Sequence, residues 1–305
     1  MFGSGLKRST GIHVGDEGVF ASELVLQRRR ASVRRCVTVG LTEPLALPEQ
    51  LTDAAARSAL ASALHELKIR GVNCDRPSFG LTGPSTFVKR RFRVSGNPSE
   101  TRAQLFWEAE QILGEDLSQY AVDVLITRRF GFVVAARRDV MDLYVELCRE
   151  SGLGRPDFDV SSLALCNALE GSGQTSAEGT SAMVHLDRES ARLVLVREGE
   201  FEAESTWKRD SDSSDTVAES AKRLLSLLEA ELRDGETPDR LWVSGPAGTA
   251  QALAKLREAV PTKAELLDPF VDIHTSAQAA EDYAARGSSA FDISAGLAYR
   301  ALVED

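Results

Sequence analysis

Nowhere in the sequence do apolar residues run on toward the roughly 20 that a bilayer-spanning helix needs. The opening, Met1-Phe2-Gly3-Ser4-Gly5-Leu6-Lys7-Arg8, lacks the apolar stretch of a secretion signal. Both absences predict a soluble cytoplasmic protein without direct membrane insertion, peripheral to a membrane only through partners. Cysteine is scarce. Cys36, Cys74, Cys148 and Cys166 fall in no CxxC or CxxH spacing, which excludes a disulfide framework or zinc finger and leaves reduced, mostly buried thiols. Histidine is also rare, with four residues; no Cys or third His accompanies His13 and His185 at ligand spacing, so no metal site is expected. Basic residues are outnumbered, 36 Lys and Arg against 46 Asp and Glu for a net charge of −10, which disfavours nucleic acid and anionic lipid as partners.

What the chain does have is a core. Its 305 residues, 43% of them apolar, suffice for two packed lobes. Residues 11–26 place short apolar runs around Gly15 and Gly18, and Cys36-Val37-Thr38-Val39 continues the pattern, predicting a β-meander with Arg28-Arg29-Arg30 at a hairpin tip. Ala55, Leu60, Leu64 and Leu67 recur at helical spacing, with Thr52 or Asp53 as cap and Gly71 as stop. Residues 76–94 read as two strands broken at Gly83-Pro84, 99–113 as a helix, and 120–127 with 130–136 as a hairpin around Arg128-Arg129. A helix over 140–151, stopped by Gly152, and a shorter helical run over 159–169 lead to a Gly/Ser-rich break at 171–181, read as the lobe boundary. Beyond it the theme repeats. Strands over 182–186, 192–197 and 201–207 precede a helix over 215–232, then a strand over 240–244 and helices over 248–259 and 293–302. Strands alternating with helices predict α/β lobes with mixed sheets.

In order along the chain, Gly11-Ile12-His13-Val14-Gly15 and Val19-Phe20-Ala21-Ser22-Glu23-Leu24 resemble the first strand and its continuation in the PilM branch of the actin and hexokinase superfamily. Phe106-Trp107-Glu108-Ala109-Glu110-Gln111-Ile112-Leu113 resembles a helix of the family, and Val133-Val134-Ala135-Ala136-Arg137 an apolar run ending in AAR. Ser294-Ala295-Gly296-Leu297-Ala298-Tyr299-Arg300 resembles the closing helix. The resemblance implies a two-lobed actin-like (ribonuclease H-like) ATPase fold of the α/β class. Residues 1–76 and 138–170 would form the first lobe, 77–137 a small α+β insert subdomain shared with the division protein FtsA, and 180–305 the second lobe.

In that superfamily each lobe offers a hairpin whose backbone N–H groups cradle phosphate, and each begins with an aspartate that holds magnesium or its waters. Here the first such position is His13, with Gly15 and Asp16 on the turn. The second reads Met183-Val184-His185-Leu186-Asp187, with Asp187 where the family has glycine. Imidazole is a poor ligand for magnesium, and Asp187 sets a negative charge where phosphate would sit. Ser244-Gly245 keep the turn of the adenosine-side motif open, while Pro246 removes a backbone donor. Gly15, Asp16, Ser244 and Gly245 thus mark a vestigial nucleotide site with no catalytic residue. The expectation is a pseudo-ATPase scaffold with no cofactor; ATP with magnesium is the alternative.

The resemblance also implies partners: the N-terminal cytoplasmic tail of a PilN-like inner-membrane protein, together with other pilus or secretion platform proteins, while homo-oligomerisation stays open. The tail is expected to add along a groove between the first lobe and the insert, near Phe79, Phe87, Arg91 and Phe92. Two competing functions would each leave a mark in the sequence. A sugar or acetate kinase, or an active ATPase, should retain both aspartates. An FtsA-like division adaptor should carry a C-terminal basic amphipathic helix, where this chain reads Ala301-Leu302-Val303-Glu304-Asp305.

Overall fold

The computed structural model describes residues 6–28, 30–41, 53–83, 86–93, 97–209, 216–232 and 236–303. Arg29, Thr52 and Pro84, and the side chain of Phe92, lie outside the described residues.

The chain opens as the predicted meander: β1 (Lys7–Val14), β2 (Gly18–Gln27) and β3 (Arg30–Gly40) pair antiparallel in succession. Arg28 takes the positive φ of the β2–β3 turn. Helix α1 (Ala54–Ile69) is capped by Asp53, whose carboxylate accepts from Ala55 N, and Gly71 follows it with φ of 79°. Leu60, Ala63, Leu64 and Leu67 are the buried stripe of that helix and pack under the sheet with Ile12, Val14, Val19 and Val37.

Three further strands complete this six-stranded sheet, and two of them depart from the expectations, one in the lobe it joins and one in its conformation. The insert is predicted to begin at residue 77, yet β4 (Pro77–Leu81) pairs parallel with β1. Residues 159 and 160, predicted helical, belong instead to β8 (Asp157–Val160), which pairs parallel with β4 before α4 (Ser161–Gly171) begins. Parallel pairing with a strand about 80 residues away leaves no local hairpin signal to read.

The inserted unit is a three-stranded sheet in the order β5–β7–β6, built from β5 (Thr86–Arg93), β6 (Tyr120–Ile126) and β7 (Phe130–Arg137). Helix α2 (Pro98–Leu113) covers one face with Leu105 and Ala109, and is capped by Asn97, whose side chain accepts from Ser99 N. The chain returns to the first lobe through α3 (Arg138–Glu150).

The second sheet has the order β11–β10–β9–β12–β13, formed by β9 (Thr180–Leu186), β10 (Ser190–Arg197), β11 (Glu200–Lys208), β12 (Arg240–Ser244) and β13 (Ala264–Leu266). Helices α5 (Thr216–Glu231) and α6 (Ala250–Ala259) cover its outer face. The C-terminal part then leaves this lobe. Strand β14 (His274–Thr275) pairs with β3, and α7 (Ala277–Ala284) and α8 (Asp292–Val303) pack with Phe20, Leu24, Val33 and Cys36 of the first sheet. The predicted extent of the second lobe, 180–305, is therefore corrected: residues 274–303 cover the first.

Helices α4 and α8 lie in contact between the two sheets. Gly296 makes the closeness possible, because a Cβ there would sit 1.7 Å from the carbonyl oxygen of Ala164. Strand alternation then decides what faces this layer. On β9, Ala182, Val184 and Leu186 face α5 and α6, while Met183 joins Leu165, Leu169, Ile293 and Leu297. His185 shares the parity of Met183, and His13 is opposite in parity to Ile12 and Val14.

Candidate functional site

The turns of the two leading hairpins are built alike. Gly15 N donates to Gly18 O at 2.9 Å, and Asp187 N donates to Ser190 O at 3.0 Å. Asp187 thus occupies in the second lobe the place of Gly15 in the first, and His185 the place of His13. The two turns meet: Asp16 Oδ2 accepts from the backbone N–H of Glu189 at 2.9 Å, which latches the first lobe to the second.

Inside the latch is a buried cluster. His185 lies between two carboxylates, with Nδ1 at 2.6 Å from Asp292 Oδ2 and Nε2 at 3.2 Å from Asp187 Oδ2. Asp292 is fully buried at the start of α8 and also accepts from Ile293 N. Burial disfavours the imidazolium, but the charges of Asp292 and Asp187 outweigh it and push the His185 pKa up to about 10. Burial likewise opposes the Asp187 carboxylate, yet His185 and His13 hold its pKa far below the ordinary range. The His13 ring stands nearly perpendicular to that of His185, with centroids 5.5 Å apart, and its Nε2 lies 3.9 Å from Asp187 Oδ2. Neither His13 nitrogen has a hydrogen-bond partner although the residue is 2% exposed.

Two arginines close the surroundings. Arg209 donates from Nη1 to the Asp187 carbonyl, and the buried Arg192 donates from Nη2 to Thr82 Oγ1 across the lobes. On the adenosine side, Ser244 is buried with an unpartnered Oγ, and Gly245 has φ of 90°. A Cβ on Gly245 would sit 2.5 Å from Leu186 O, so this turn presses directly on the end of β9. The residues read from sequence as a vestigial nucleotide site thus lie together where the hairpins meet, with His185 bonded to Asp187, Asp16 to the backbone of Glu189, and His13 and Ser244 without a hydrogen-bond partner. Asp292 and Arg192 were missed. An aspartate opening a helix reads as an ordinary cap, and only the fold reveals the histidine it faces.

Asp16 carries a measurable consequence. Burial, then the nearby Asp187 charge, pushes its pKa from 3.8 up to about 6. The folded state therefore retains a proton that the unfolded chain has lost between these values, and stability falls as pH rises through this window. Asp16→Asn keeps the acceptor for Glu189 N–H and removes the buried charge. In EDTA the variant should be more stable than the parent at pH 7–8, by at most about 3 kcal/mol, and equal to it near pH 4. Thermal melts across pH 4–8 would show this; a parent more stable at pH 8 would contradict it.

A second feature is a cavity of about 510 Å³ between the inserted sheet and the first lobe, reaching the β10–β11 turn. It is walled by Ala121, Leu125, Phe158, Leu163, Cys166 and Phe201 among others. Among the described residues β6 pairs only with β7 and β8 only with β4, so both strands bring a free edge to this cavity. The residues expected beside a groove lie elsewhere. Phe79 is fully buried, its ring centroid 5.1 Å from that of Tyr144, so it cannot line a groove. Phe87 packs on the α2 side and borders a separate cleft of about 350 Å³ with Arg192 and Glu204. Arg91, at a bulge in β5, pairs with Glu108 of α2. Both β5 and β6 are edge strands of the inserted sheet, and it is β6 that borders this cavity.

Two sheets with this strand order, each opened by a glycine-type hairpin at a shared cleft, make up the actin-like ATPase fold. A chain of a PilM-PilN type IV pilus biogenesis complex superposes with a TM-score of 0.78 at 17% identity, covering 97% of this chain and 99% of that one. The cytoplasmic domain of EpsL, an inner-membrane component of the type II secretion system of Vibrio cholerae, gives 0.51 at 13% identity over 98% and 96%. A protein of actin-like ATPase fold and unknown function from Bacteroides thetaiotaomicron gives 0.50 at 10% identity over 87% and 92%. The chain matches no protein-family signature and no curated protein sequence. Among the described residues, no helix is long and apolar enough to cross a membrane.

Proposed function

We propose that this chain is a PilM-like scaffold of a type IV pilus or related type II secretion platform. It takes an extended N-terminal cytoplasmic segment of a PilN-like inner-membrane protein into the cavity beside β6 and β8, and it works without hydrolysing nucleotide. The observation that carries the reading is the pair of free strand edges facing one apolar-walled cavity. An added strand gains main-chain hydrogen bonds from either edge, and Leu125, Leu163 and Phe201 offer contacts to its alternate side chains. Likeness to a chain of a PilM-PilN complex over nearly its whole length supports the choice of partner. The histidines at both magnesium positions, His185 bonded to Asp187 and Asp292 and His13 packed against its ring, support the loss of hydrolysis. The chain is then held at the cytoplasmic face of the inner membrane by that partner.

The test is a calorimetric titration of the protein with a synthetic peptide of the first 20 or so residues of the PilN-like protein, and separately with magnesium–ATP. Heat is expected from the peptide and none from nucleotide. Ala121→Arg, which places a long cation in the cavity beside the β6 edge, should weaken the peptide at least about tenfold, as loss of about 1.4 kcal/mol would. Peptide binding unaffected by Ala121→Arg would move the docking site elsewhere. Heat from nucleotide alone would replace the scaffold reading with a nucleotide-binding one.

A further inference from the structure

We infer that His13, His185 and Asp187 form a binding site for a borderline divalent transition metal of the zinc class, which bridges the two lobes where a magnesium–nucleotide would join them in a working ATPase. The site is independent of the docking reading, since metal binding would occur with or without a peptide partner.

The three side chains present ligand atoms that all lie within 4.8 Å of one another, and all three residues are buried. A tetrahedral ion with bonds of about 2.0–2.2 Å holds its ligand atoms roughly 3.3–3.6 Å apart. Asp187 Oδ2 already stands 3.2 Å from His185 Nε2 and 3.9 Å from His13 Nε2. Closing the cluster onto an ion thus requires the ring of His13 to shift by about an ångström, well within side-chain adjustment. Two imidazoles and one carboxylate are a donor set that suits zinc and its neighbours and does not suit magnesium. The fourth position is left for water, as in zinc sites with three protein ligands.

Two observations beyond the cluster itself point to a ligand. His13 is almost fully buried, faces Asp187 and His185, and satisfies neither ring nitrogen; an unpartnered buried imidazole is costly unless something occupies its lone pair. His185, in turn, is oriented from behind, since its Nδ1 bonds to the buried Asp292 at 2.6 Å and leaves Nε2 directed at Asp187. A carboxylate behind a histidine is the usual way a metal-binding ring is fixed and made more basic. Gly15 completes the site by what it omits, because a Cβ there would lie 3.1 Å from Asp187 Oδ1 and 3.3 Å from His13 Nε2.

Since His13 comes from β1, and His185 and Asp187 from the end of β9, an ion would tie the two lobes together across the Asp16–Glu189 latch.

The experiment uses the full chain, dialysed against chelator and then titrated with cobalt(II) and with zinc(II). Cobalt should give a visible absorption band that saturates at one ion per chain and is displaced by zinc. Zinc should raise Tm by several degrees, whereas magnesium at the same concentration should not. His13→Gln should abolish both the band and the zinc shift while melting, without metal, near the parent. Asp292→Asn, which touches no ion, should weaken zinc about 10–100-fold. Should His13→Gln fail to fold, Gly15→Ala removes no ligand yet sets a methyl against His13 Nε2 and the Asp187 carboxylate, and is expected to weaken zinc at least tenfold. An absent band, a zinc-independent Tm, or a band that survives His13→Gln or Gly15→Ala unchanged would overturn the inference.

Discussion

His185→Ala, measured in EDTA at pH 7, should lower stability by about 3–5 kcal/mol. The reason lies in what the substitution leaves behind. Asp187 and Asp292 are both buried, and the imidazolium is the cation bonded to both of them. Removing it strands two like charges in the interior, which is far more costly than losing the pair's own attraction. Each kcal/mol moves the midpoint of a chain this size by roughly 2–4 °C, so a drop on the order of 10 °C is expected in a thermal melt. The effect also has a pH signature. With a folded pKa of about 10 against an ordinary 6.5, the imidazolium contributes fully below pH 6.5, and its contribution is lost as pH rises toward 10. The gap between parent and variant should therefore narrow from pH 7 to pH 10; a constant gap would mean that His185 contributes by packing alone.

Gly296→Ala should be of similar size, for an unrelated reason. The added Cβ would fall 1.7 Å from Ala164 O and 3.0 Å from Ala168 N, both backbone atoms of α4. Neither can swing aside as a side chain would, so α4 and α8 must separate. This helix pair lies between both sheets, and Leu165 and Leu169 of one with Ile293 and Leu297 of the other belong to one buried cluster. Overpacking a core commonly costs 1–3 kcal/mol; displacement of a whole helix places this case at about 3 kcal/mol or above. Urea unfolding would report it as a lower midpoint, and a loss below about 1 kcal/mol would show that the helix crossing gives way more easily than its geometry implies.

The elements legible in the sequence were those that carry their own pattern. The meander of β1 to β3, the stripe Leu60-Leu64-Leu67 of α1, and strand Arg240–Ser244 all lie where periodicity places them. Strands β8, β13 and β14 were not, having four, three and two residues and partners far along the chain; so short a run has no periodicity of its own, and tertiary pairing decides it. Helix α7 was missed too, its eight residues holding only one large apolar side chain, Tyr283. The histidine positions were visible through family likeness. That His185 would be bonded by Asp292 was not, since a contact across 107 residues is a property of the fold. The groove residues show the same limit from the other side. Alternating aromatics at Phe79 and Phe87 mark strand faces, but which strand edge stays free depends on the strand order of a finished sheet.

The packing of α8 over β1 bears on how the chain is made. Ser9 donates to the carbonyl of Ala298, 289 residues later, and the hydroxyls of Ser22 and Ser294 meet at 2.7 Å. At synthesis rates of about 5–20 residues per second, roughly 15–60 seconds separate the emergence of the first strand from that of the helix that covers it. In that interval the sheet presents Phe20 and Leu24 with no α8 to bury them. Contacts so distant in sequence also close slowly once both ends are free. Strand β1 is thus made long before its cover and is among the last to be enclosed.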